Sequence, residues 1–230
     1  APTLSVSLSG GVLTVTDGTT NGLNNHLSVE VSGDYLYITD ETESFDANEV
    51  AAIDGAALYE QNRQLEIPLA SITTGITVDG GLGSDTLTVL ETLLGTLNFT
   101  GKAELISIEV PQGSTLQAKN VTLVTYSLDI STIIDVGTGT VTIQPQTDGQ
   151  LIDLGGADAT GTLGLTDAEL DYITAGYLVI GNNKAGAITV SSDIDLTATP
   201  TVSTLRLNSS GDVTSTAGGL LVSKIGRAHV

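Results

Sequence analysis

The chain has 230 residues, with 27 Asp plus Glu against 7 Lys plus Arg; a formal charge of −20 leaves no basic stripe for a nucleic-acid backbone and disfavours anionic membrane surfaces. It lacks Cys, Met and Trp and is only 3% aromatic, so a core must be built from Val, Ile, Leu and Ala, and disulfides and cysteine nucleophiles are excluded. No run reaches the roughly 18 apolar residues of a spanning helix, so no membrane insertion is expected.

Residues 3–17, TLSVSLSGGVLTVTD, and 26–40, HLSVEVSGDYLYITD, are one fifteen-residue phrase written twice, offset by 27 − 4 = 23 positions. Eight pairs are identical, from Leu4/Leu27 to Thr16/Thr39 and Asp17/Asp40, where composition alone gives roughly one or two. A strand, glycine turn and strand at this period predict one coil of a β-solenoid. Leu4, Val6, Leu13 and Val15 would then stack directly on Leu27, Val29, Leu36 and Ile38.

Residues 41–64 are polar and acidic, with their best helix-compatible stretch at 48–59, and read as an excursion from the coil. The run Asp40, Glu41, Glu43, Asp46 could hold a cation, but such a charge run usually belongs to a solvated loop. Next, Gly80-Gly81-Leu82-Gly83-Ser84-Asp85-Thr86-Leu87-Thr88 matches the calcium nonapeptide G-G-x-G-x-D-x-U-x. Calcium needs six to eight hard oxygens from stacked turns, and one copy supplies half a site. No cofactor is therefore expected; if calcium binds, Asp79 and Asp85 are its candidate ligands, and the plainer reading is a glycine turn leading into a strand.

Strand-like runs punctuated by Gly, Asn, Asp or Ser continue along the chain, at 12–16, 35–39, 75–78, 86–89, 104–110, 121–125, 141–144, 177–180, 187–190 and 204–207. Their connections are too short for crossover helices, which excludes an ordinary α/β sheet. An antiparallel sandwich remains possible, and the repeat favours a parallel solenoid of roughly ten coils, about 50 Å long. A short capped helix is expected at 167–173, where Thr166 and Glu169 form a capping box and Leu165 packs on Leu170.

Asp193 and Asp195, two apart in a strand, would share one face about 6.5 to 7 Å apart, as carboxylates do in polysaccharide-cleaving β-helices; a solvated outer face is the simpler reading. His26 stands at a repeat position where the first phrase has Thr3, which argues against a Ser-His-Asp arrangement. Gly155-Gly156 and Gly218-Gly219 are followed by no Lys at phosphate-loop spacing and read as turns. Residues 225–230, IGRAHV, resemble the translation of a sequencing adapter and are set aside as a scar; with Ala1 as first residue, an internal fragment of a longer protein is expected.

Residues 161–181, GTLGLTDAELDYITAGYLVIG, followed by AITVSSDIDLT and TLRLNSSGDVTSTAGGLLV, resemble the repeat region of filamentous-haemagglutinin-type exoproteins and other very large bacterial surface proteins. ITVDGGLGSDTLTV at 76–89 is similar to linkers of the same giants. The resemblance covers roughly residues 130–224 and carries no catalytic motif. It implies a right-handed parallel β-helix, secretion and adhesion.

The expected organisation is all-β: solenoid repeats over 1–100 with the excursion at 41–64, then a filamentous-haemagglutinin-like β-helix over 101–224. The expected function is a non-enzymatic structural and adhesive segment of a secreted or cell-surface bacterial protein. Its partners would be host or cell-surface glycans or proteins and the neighbouring coils of the parent chain, through multivalent weak contacts. The alternatives are a pectin-lyase-like polysaccharide-degrading β-helix, for which Arg63 and Arg206 are far apart and the negative charge is wrong, and a calcium-stabilised repeat module.

Overall fold

A computed structural model describes residues 4–18, 24–80, 85–89, 96–108, 115–117, 120–131, 133–197, 202–217 and 219–221. Residues 81–84 of the nonapeptide and the adapter-like 225–230 lie outside them.

Alternation of apolar and polar residues produces strands with one buried face, and the glycines decide how those strands connect. β1 (Leu4–Ser9) and β2 (Val12–Asp17) are joined by Gly10 and Gly11 at φ of 58° and 76°. β3 (His26–Ser32) and β4 (Tyr35–Asp40) turn at Gly33, φ 60°. A two-residue link with positive φ reverses the chain, so each phrase is an antiparallel hairpin, Val6 opposite Val15 and Val29 opposite Ile38. This corrects the expected coil. Among the described residues the phrases form no backbone ladder with each other, although their eight apolar residues are buried in one shared core.

The excursion is also part of the sheet. After Phe45, which bridges Leu4 and is fully buried, α1 (Ala47–Ala51) is capped by Asp46, whose Oδ1 accepts from Asn48 N at 2.8 Å and Glu49 N at 3.3 Å. β5 (Ala57–Tyr59) and β6 (Gln64–Pro68) follow, joined across Glu60, Gln61 and Asn62 at φ of 53° to 66°. Both strands pair antiparallel, extending β3–β4 to the order β3-β4-β6-β5. The helix ends at Ala51, short of the expected 48–59, and Leu58 and Tyr59 belong to β5 instead.

From β7 (Gly75–Asp79) and β8 (Asp85–Val89) onward, every ladder between strands among the described residues is parallel, with one isolated antiparallel bridge from Ala159 to Thr162. β2 runs beside β7 and β3 beside β8, and both continue onto β9 (Thr96–Ile108), whose first part pairs β7 and second part β8. Next come β10 (Thr115–Gln117), β11 (Asn120–Ile130), β12 (Ile133–Asp135), β13 (Thr140–Pro145), β14 (Leu151–Leu154) and β15 (Thr162–Leu165). α2 (Asp167–Leu170) forms with both halves of its capping box, and Leu165 and Leu170 are buried as expected; Ile173 instead opens β16 (Ile173–Gly181). β17 (Ile188–Val190), β18 (Ile194–Asp195), β19 (Val202–Asn208), β20 (Val213–Ser215) and β21 (Leu220–Leu221) complete the described chain.

Three of the parallel ladders share a near-constant spacing: Leu178 pairs with Leu205, Ile188 with Val213 and Ile194 with Leu220, offsets of 27, 25 and 26 residues, whereas Val121 to Val141 spans 20 and Val141 to Leu178 spans 37. Register nevertheless sets like on like. Val121, Val141, Leu178 and Leu205 form one buried aliphatic column, and Leu123, Ile143, Ile180 and Leu207 another. Each such side chain contributes about 1.5 to 3 kcal/mol on burial, which is how a core with so few aromatic residues is assembled. The result is an all-β chain with mixed sheets, antiparallel at its start and parallel thereafter.

Candidate functional sites

Strand register brings together carboxylates that are far apart in sequence. Because Thr16 pairs with Asp79, Asp17 follows at the level of Gly80; because His26 pairs with Thr86, Asn25 lies beside Asp85; and β4 returns along β3 so that Asp40 is opposite Leu27. The ends of β2, β4 and β7 therefore meet the beginnings of β3 and β8 at one corner. Asn25 holds that corner together. Its backbone N donates to Asp85 Oδ1 at 2.9 Å, and its Nδ2 donates to Asp17 Oδ2 at 3.1 Å and to the Gly80 carbonyl at 3.3 Å. Asp40 Oδ1 accepts from Thr42 N, Thr42 Oγ1 and Glu43 N at 2.6 to 3.0 Å.

The corner is dry. Asn25 and Asp40 are 0% exposed, Asp85 1%, Asp17 and Glu43 5%. Burial, reinforced by the charges of Asp17, Asp40 and Asp79 and opposed by the Asn25 donor, raises the Asp85 carboxyl to about 6. Glycine is needed at position 80, where a Cβ would stand 2.8 Å from Asp85 Oδ2. The solvated loop expected for Asp40 and Glu43 is thus corrected to a buried one, while Asp46 serves as the α1 cap. Of the two calcium candidates, Asp85 lies at the centre of the corner and Asp79 is half-buried at its edge. Sequence reasoning missed Asp17 and Asn25. The available signal was the last identical pair of the repeat, Asp17/Asp40, which ends both hairpins at equivalent places. Among the described residues, no three of Asp, Glu and His already stand grouped as a metal site.

A second arrangement lies on the open face of the β4-β6-β5 sheet. Period-two alternation points Tyr35, Tyr37, Tyr59 and Glu66 outward while Leu36, Ile38, Leu65 and Ile67 point in. Tyr37 donates to Glu66 Oε2 at 2.6 Å and Tyr59 to Oε1 at 3.3 Å. The Glu66 hydrogen bond and charge push the Tyr37 hydroxyl up to about 12, and Tyr59 is raised by the same carboxylate. Half of the chain's six tyrosines thus share one patch, with Tyr35 and Tyr59 broadly exposed.

The other candidates are engaged in hydrogen bonds of their own, and Asp193 precedes β18 where a place within the strand was expected. Asp195 Oδ1 accepts from Thr197 N and Oγ1, which holds its carboxyl below the ordinary range, and Asp193 Oδ1 accepts from Gly219 N at 2.8 Å. His26 is exposed, its Nδ1 3.0 Å from Thr86 Oγ1. Among the described residues no helix is long and apolar enough to cross a membrane. Compared with family models, curated proteins and solved structures, the chain matches none at a significant level.

Proposed function

We propose that the chain is a non-enzymatic structural and adhesive segment of a secreted or surface-attached bacterial protein, with its parallel portion wound as a right-handed β-helix. The observation that carries this reading is the steady 25 to 27 residue offset of three parallel ladders, β16–β19, β17–β20 and β18–β21. Successive strands of one turn would form successive faces, and a parallel crossover is right-handed in nearly all known sheets. Such a stack extends by addition of coils and presents repeated shallow surface, which suits reach and multivalent contact. The tyrosine patch supplies a flat aromatic platform of the kind that stacks on sugar rings or peptide side chains.

Beads carrying the chain at graded density test this against a surface coated with cell-surface glycoprotein. Adhesion should rise more steeply than density and should fall in the Tyr35→Ala/Tyr59→Ala variant. Density-proportional retention unaffected by those substitutions, or release of reducing sugar from a uronic-acid polymer by the chain, would overturn the reading.

A further inference from the structure

Three buried oxygens at the acidic corner have no hydrogen-bond partner: Asp40 Oδ2, Asp85 Oδ2 and Asn25 Oδ1. All three residues are at least 99% buried. A buried carboxylate oxygen without a donor is strongly unfavourable, and two in one corner compound the cost by mutual repulsion. Unpartnered oxygens recurring in one buried place are accounted for by an ion that they all coordinate. We infer that this corner is a calcium site, assembled from Asp17, Asn25, Asp40 and Asp85 where the two repeat hairpins meet the parallel strands.

The chemistry of the donors selects the ion. Carboxylate and amide oxygens are hard ligands, and no sulfur exists anywhere in the chain. Ca²⁺ accepts six to eight such oxygens in irregular geometry, with backbone carbonyls and water completing the set, whereas Mg²⁺ demands a near-ideal octahedron. The Gly80 carbonyl, which accepts from Asn25 Nδ2 at 3.3 Å, is one backbone candidate. Since among the described residues no three carboxylates are yet grouped as a metal site, binding would have to draw these side chains together. Asp85, the acid of the nonapeptide, is thereby joined by the repeated phrase, through contacts sixty residues away in sequence, as the Asn25 to Asp85 bond illustrates. The ion would clamp β2, β3, β4 and β8 at one point and fasten the antiparallel start of the chain to the parallel stack. This holds independently of adhesion.

The test uses the full chain stripped of metal, titrated with CaCl2 or MgCl2 in a calorimeter and melted with and without chelator. One site is expected, with calcium favoured at least tenfold over magnesium and a gain of about 5 °C or more at a hundredfold excess over Kd. Asp40→Asn and Asp85→Asn remove buried charge at constant shape, so both variants should fold without calcium and lose most of the calcium-dependent gain. Absence of heat and of any melting shift in the parent chain would overturn the inference, whatever the variants do. A calcium gain retained in both folded variants would place the ion elsewhere and equally overturn it. Stabilisation by acid alone, without a calcium response, would identify a proton as the neutralising species.

Discussion

Gly164→Ala is expected to damage the fold far more than its single methyl suggests. Gly164 lies inside β15, and a Cβ there would fall well within the 3.4 Å at which ordinary contact begins, against the Ala157 carbonyl carbon and the Asp158 nitrogen. Both are backbone atoms, so no side-chain rotation relieves the clash. Overpacking of this kind costs about 1 to 3 kcal/mol. The displaced loop also carries Asp158, whose carboxylate accepts from Gly164 N at 2.8 Å and from Leu128 N at 3.0 Å, tying β15 to β11. Losing one such charge-assisted bond adds about 1.5 to 3 kcal/mol. The combined loss, about 2.5 to 6 kcal/mol, is a large part of the 5 to 15 kcal/mol typical of a folded domain. Gly33→Ala is the matched control: it sits at φ 60° with nothing within 4 Å of its added methyl, so the cost is backbone strain of about 1 to 2 kcal/mol. Urea denaturation followed by circular dichroism measures both. If Gly164→Ala shifts the midpoint no more than Gly33→Ala, the tight packing argued for the β15 loop is wrong.

Burial raises the Asp158 carboxyl above its ordinary 3.8 against the pull of its two backbone donors, so its proton binds the folded chain more tightly than the unfolded one. The stability this group contributes is full below the unfolded value and is lost as pH rises through the folded one; the stability difference between the parent and Asp158→Asn should therefore decline as pH rises above about 3.8, and a rising difference would contradict the sign. Ultraviolet titration should find Tyr37 ionising near 12, and Glu66→Gln should return it toward 10.0; an unchanged transition would show that Glu66 is not the cause. Thr166→Ala removes the hydroxyl that accepts from Glu169 N and should lower stability by about 1 kcal/mol in thermal melts, with no loss meaning that α2 needs no cap.

The strands were legible because period two survives any tertiary context: the runs at 121–125, 141–144 and 204–207 fall inside β11, β13 and β19. The α2 cap was legible for a similar reason, since its hydrogen bonds span three residues. Connectivity was harder. Gly10-Gly11 and Gly33-Asp34 are two-residue links between alternating runs, the ordinary mark of a hairpin, yet a 23-residue repeat gave more weight to a coil. The acidic corner was unreadable locally, because Asp40 sits among polar neighbours that suggest solvent, and its burial depends on β3 pairing with β8 across sixty residues. Nothing within a short window encodes that register.

The absence of cysteine allows the stacked-coil account to be tested by engineered cross-links. Val179 and Arg206 are paired across β16 and β19, and Thr189 and Thr214 across β17 and β20, on outward-facing positions of what would be two faces of the same coil pair. Neighbouring parallel strands lie about 4.8 Å apart, within disulfide reach. The measurement is oxidation of Val179→Cys/Arg206→Cys and Thr189→Cys/Thr214→Cys under native conditions, read by mass spectrometry. The account predicts that both pairs close quantitatively in the folded chain and raise its melting temperature, singly and together. Closure of only one pair, or closure only after denaturation, would contradict a continuous parallel stack.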